Sequence, residues 1–123
     1  MSDHTHESGH GKDVLDELRP LTRELRQAIP TVYGAFADLH GAAMADGALD
    51  TKTKELIALA IAVSERCDGC IASHAKGAAK AGATRQEAAE AIGVAILMTG
   101  GPATVYGPRA FAAVCELVPA DPT

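Results

Sequence analysis

Alanine sets the terms on which this chain can fold. It occupies 25 of 123 positions, tryptophan is absent, and the aromatics are two tyrosines and two phenylalanines. Alanine loses least on entering a helix, and a core of Ala, Leu, Ile and Val lets helices approach closely. Each of these side chains buries little area, at roughly 25 cal/mol per Å² of apolar surface. A chain of this length has room for one modest core and not two. A single domain is therefore expected, with self-association supplying burial that one chain lacks.

The net charge is −5, with acids and bases interspersed and no basic stripe. That excludes the electrostatic footprint of a nucleic-acid or anionic-membrane binder. The longest uncharged stretch, Ala91 to Pro108, is broken by Gly100, Gly101 and Pro102, and the run Leu56 to Val63 is far shorter than the ~20 residues of a membrane span. Residues 1–12 are polar and carry His4, His6 and His10 without the apolar segment of a secretory signal. They read as a flexible tail. Three cysteines, two of them three residues apart, suit redox or metal chemistry in a reducing compartment better than a disulfide scaffold. A cytoplasmic protein is expected.

Periodicity along 13–118 gives an all-α bundle of about six helices and no useful strand pattern. Val14, Leu15, Leu18, Leu21, Leu25 and Ile29 form the first amphipathic stripe, interrupted or kinked at Pro20. Pro30 opens a second helix with Val32, Tyr33, Phe36, Leu39, Ala43 and Met44 expected inward, and with His40 packed or partly exposed. Asp50 or Thr51 caps a third, in which Leu56 to Val63 is apolar all round and expected to be buried on every side. After a break at Arg66, a central fourth helix begins around Cys67 to Gly69 and ends before Gly82. Thr84 and Glu87 form a capping box for the fifth, stopped by Gly100 and Gly101. Pro102 or Pro108 starts the sixth, and residues 119–123 follow as a C-terminal tail.

The chemistry concentrates in Cys67-Asp68-Gly69-Cys70-Ile71-Ala72-Ser73-His74. Positions i, i+3 and i+7 fall within a sector of ~60° on one helix face. A thiol pair at a helix start can close a small disulfide, and the exposed amides there favour a thiolate. His74 lies one turn beyond Cys70 and can take its proton. Helix polarity would instead favour Cys67, but its contribution is only ~0.3–1 kcal/mol when exposed, so Cys70 is expected to attack. If the third and fourth helices form a hairpin, Glu55 lies ~15 Å and His74 ~10 Å from the turn at 1.5 Å per residue. Glu55 can then orient His74, or it can serve simply as an acid in a helix's first turn. Two buried small hydrophobes or a zinc site are the other readings of the cysteine pair. Cys67, Cys70 and His74 offer three ligands, and neither Cys115 nor the tail histidines supply an ordinary second half-motif. Cys115 reads as a packed core thiol.

Glu55, eleven residues, Cys67-x-x-Cys70, three residues and His74 together resemble the alkylhydroperoxidase D-like branch of the carboxymuconolactone decarboxylase family. The resemblance runs from Pro30 to Leu117 and includes the Ala-Gly-Ala-Thr turn at 81–84. It implies a hydroperoxide reductase in which Cys70 attacks the peroxide and Cys67 resolves the sulfenic acid as a disulfide. Glu55 and His74 would relay the proton through Cys67 and a water. It also implies a thiol reductant, a trimer or hexamer, and neither an organic cofactor nor a catalytic metal. Gly69 departs from the His that precedes the second cysteine in the best-known hydroperoxidases, which bears on peroxidase efficiency more than on thiol redox activity.

Two rivals stand beside this reading. A carboxymuconolactone-type decarboxylase would not need the cysteine pair, and would need a basic pocket to which Arg66 and Arg109 could contribute if folded together. A redox-sensing or zinc-binding helical module would change its assembly without turnover.

Overall fold

In the computed structural model, which describes residues 9–122, six helices follow one another. They are α1 (Lys12–Ala28), α2 (Pro30–Met44), α3 (Thr51–Glu65), α4 (Asp68–Lys80), α5 (Arg85–Thr99) and α6 (Gly101–Leu117). No strand occurs among the described residues.

The boundaries follow local chemistry. The Asp50 side chain accepts the Thr53 N–H at 2.8 Å and starts α3. Arg66, in the left-handed region at φ 57°, ends it and turns the chain into α4. Thr84 and Glu87 form the reciprocal capping box at the head of α5, with hydrogen bonds of 3.0 and 2.9 Å. Pro20 lies inside α1 and does not interrupt it. The sixth helix starts at Gly101 with Pro102 in its first turn, and Pro108 lies within it.

Helices α3 to α6 make the core. Leu59, Val63, Ile71 and Val114 are its largest fully buried side chains, and Ala72, Ala75, Ala78, Ala88, Ala103, Ala110 and Ala113 fill the rest. Small residues let the helices close up: a Cβ at Gly107 would stand 3.0 Å from Ile92 Cγ2.

Two burial expectations are corrected. No residue of α2 is buried, and Val32, Phe36 and Leu39 are 60–63% exposed. Nor is α3 covered on every side, because Ile57 and Ile61 remain exposed while Leu59, Ala62 and Val63 are buried. Periodicity identifies an apolar face but not what covers it, and one chain has too few helices to cover these.

The segments flanking the bundle are fastened to it. The backbone N–H groups of His10 and Lys12 donate to the Glu116 carboxylate at 3.3 and 3.0 Å; His4 and His6 lie outside the described residues. Beyond α6, Asp121 accepts the Arg85 and Gln86 N–H groups at 2.7 and 3.0 Å, capping α5 from a distant point in the chain. The Arg85 guanidinium in turn donates to the Val118 and Cys115 carbonyls, both at 2.9 Å.

Candidate active site

Helix α4 begins with a thiol as its cap. Cys67 has extended backbone geometry, and its Sγ accepts the Cys70 N–H at 3.3 Å, the place that a Ser or Asp oxygen usually fills. Cys70 follows on the first turn and is exposed, whereas Cys67 is half-buried. Partial burial of its sulfur, hydrogen bonding to Cys67, and the charges of Cys67, Asp68 and Glu65 push the Cys70 thiol up to about 11. Among the described residues, no hydrogen bond joins His74 to either sulfur, the contact that the spacing suggested for Cys70.

His74 instead turns to α3. Its Nδ1 stands 2.8 Å from Glu55 Oε1, and Glu55 is only 6% exposed. The hairpin of α3 and α4 places them at matching heights, as their distances from the turn predict. A glycine makes the approach possible, since a Cβ at Gly77 would overlap the Glu55 carboxylate. Glu55 is thus a buried, partnered carboxylate and more than a first-turn acid.

Sequence reasoning missed the third member of this group. His40 of α2 is exposed, and its ring stacks on His74 with centroids 6.2 Å apart and planes at 16°. Nothing in α2 alone signals this, because the partner lies 34 positions away in sequence.

Around the thiols, α1 accounts for the glycine between them. A Cβ at Gly69 would come within 2.9 Å of Leu18 Cδ1, so α1 fills the room that a side chain there would take. Arg66 and Arg109 do fold together. They share a cavity of about 310 Å³ with Asp68 and Tyr106, and the Arg109 guanidinium lies 4.8 Å from the centre of the Tyr106 ring. Cys115 is half-buried on α6, apart from this group.

The pattern that defines the carboxymuconolactone decarboxylase family matches residues 30–114. A protein of Cupriavidus necator is 40% identical over 101 residues, covering 82% of this chain and 89% of its own, and carries no functional name. A protein of the Paracoccus denitrificans cox locus, likewise without an assigned function, is 42% identical over 94 residues, covering 76% and 85%. Among solved structures, a carboxymuconolactone decarboxylase family protein from Legionella pneumophila superposes with a TM-score of 0.78 at 41% identity, covering 92% of this chain and 97% of that one. A Thermotoga maritima protein gives 0.76 at 30% identity, covering 86% and 93%.

Proposed function

Because the chain belongs to the carboxymuconolactone decarboxylase family, we propose that it is the thiol-dependent kind of member: a hydroperoxide reductase that cycles Cys67 and Cys70 between dithiol and disulfide. The observation that carries this reading is the thiol cap of α4, where one sulfur accepts the helix-start N–H and the other meets solvent. A site that used no thiol chemistry would have no need of that arrangement.

The Cys67 thiolate accepts the Cys70 proton, and the Cys70 sulfur attacks the distal peroxide oxygen. The O–O bond breaks, Cys70 becomes a sulfenic acid, and the leaving alkoxide takes a proton delivered from His74 through water. Glu55 holds His74 Nδ1 and steadies the imidazolium that forms as the relay is recharged. Cys67 then displaces hydroxide from the sulfenic acid, closing the disulfide, and an external thiol supplies two electrons to reopen it. Nucleophilicity rises with pKa at a slope of ~0.4–0.5, so a high Cys70 pKa is offset in part once its proton has moved.

We also propose that the chain works as a homo-oligomer, a trimer or a hexamer. Beside the exposed face of α2, a groove between α3 and α5 of about 560 Å³ is lined by Leu56, Ile57, Ala60, Ile61, Val94 and Met98. Apolar surface of this kind on a small chain marks an interaction site.

The cavity shared by Arg66 and Arg109 favours a second reading, a decarboxylase acting on an anionic substrate. Turnover assays separate the two. Hydroperoxide consumption with a dithiol reductant is expected in wild type and lost on replacing either cysteine by Ser. Activity on a lactone acid that survives both replacements would favour the decarboxylase.

A further inference from the structure

We propose that His40, Glu55 and His74 form a binding site for a divalent transition metal, of which zinc is the best match, and that the bound ion blocks the proton relay. One ligand atom from each residue lies within 4.8 Å of the other two. The three come from α2, α3 and α4, so the site exists only in the folded bundle. Two imidazoles and one carboxylate are a donor set suited to zinc, with bonds of about 2.0–2.2 Å that put tetrahedral donors about 3.4 Å apart. Closing the present arrangement to that size takes a movement of about an ångström, which the exposed His40 side chain can supply.

The surroundings leave coordination positions open. Glu55 and His40 line a cavity of about 390 Å³ with Met44, Thr51, Ser73, Lys76 and Lys80. The two ammonium groups oppose a bare cation and favour one that also holds an anionic ligand such as hydroxide. Buried Glu55 supplies the compensating charge.

Occupancy has a chemical consequence. An ion held by Glu55 and by His74 Nδ1 takes the place of the proton that Nδ1 donates to the carboxylate. The imidazole is then fixed on the metal, and the Glu55–His74 hydrogen bond is given up. Only this inhibitory consequence rests on the thiol reading; metal binding does not.

Binding is measured on the full chain carrying Cys67→Ser and Cys70→Ser, so that thiols do not compete. Zinc is titrated against a chromophoric chelator, and visible absorption of Co(II) reports the coordination. One equivalent per chain is expected, weakened about tenfold or more by His40→Ala and by Glu55→Gln. An affinity unchanged by His40→Ala overturns the site, as does weakening only when His4, His6 and His10 are replaced by Ser. With both cysteines present, zinc should slow peroxide-driven thiol loss and a chelator should restore it. Measured against its own metal-free rate, His40→Ala should be slowed by zinc far less than wild type is; inhibition equal to wild type would place the ion on the thiols and overturn the proposal. If wild type shows no peroxide chemistry, the thiol reading fails while the Co(II) spectrum still decides the metal site.

Discussion

At the mouth of α4 two thiols three residues apart have unlike surroundings. Cys67 Sγ receives an N–H at the helix start, and Cys70 is pushed up to about 11 by burial, by its hydrogen bond to Cys67 and by neighbouring charge. With such a pKa, Cys70 is overwhelmingly protonated at pH 7. Alkylation across a pH series, followed by peptide mass spectrometry, should give Cys70 an inflection near 11. In Cys67→Ser that inflection should fall part of the way toward an ordinary thiol, because burial, the largest cause, persists. Gly77→Ala tests the other half of the site. Its Cβ would displace the Glu55 carboxylate, and peroxide-driven thiol loss should slow about a hundredfold, the usual scale for losing a positioned acid–base group. A wild-type rate would show that Glu55 is not used. The residue types and spacing made Glu55, Cys67, Cys70 and His74 legible in the sequence. The upward push on the Cys70 thiol was not, because it depends on how far that sulfur is buried and on which atom accepts the Cys70 N–H.

Elements were legible where a side chain closes a helix end locally. Asp50, Thr84 with Glu87, and the break at Arg66 all stand where the sequence puts them. The Asp121 cap of α5 was not, since its two halves are 35 and 36 positions apart. Thr84→Ala should destabilise the fold by about 1 kcal/mol, read from thermal unfolding. The Thr84 N–H, and after it the Lys52 ammonium, hold the Glu87 carboxyl below its usual value. A carboxyl whose folded pKa is depressed adds stability that is present above its unfolded pKa of about 4.5 and lost as pH falls through the folded one. Unfolding midpoints should therefore drop as pH falls below that value, and the drop should be shallower in Glu87→Gln. Identical slopes for the two proteins would remove Glu87 from the explanation.

For the whole molecule, alanine-rich composition anticipated both the close-packed α3–α6 core and its shortfall. What it could not give was the location of the uncovered surface, because the periodicity of α2 and α3 reads alike whether a face meets its own chain or another. Leu97 and Met98 are 80% and 77% exposed on α5 beside the groove with α3. Ile61→Glu with Met98→Glu should convert the proposed oligomer to smaller species in sedimentation velocity while helicity is retained. If wild type itself sediments as one chain, the proposed assembly is wrong. The three helices that meet at His40, Glu55 and His74 show the same limit at the site: a hairpin could be foreseen from loop length, but not the lean of α2 against it.

Whether Cys67 and Cys70 act together on a hydroperoxide is read most directly from intact mass and free-thiol count. Metal-free reduced protein would be measured before and after a stoichiometric pulse of an organic hydroperoxide, with Cys70→Ser in parallel. Rapid loss of two thiols and two mass units is expected from wild type, and no such loss from the variant. Unchanged thiols in wild type, or equal loss in Cys70→Ser, would contradict joint action of the two cysteines.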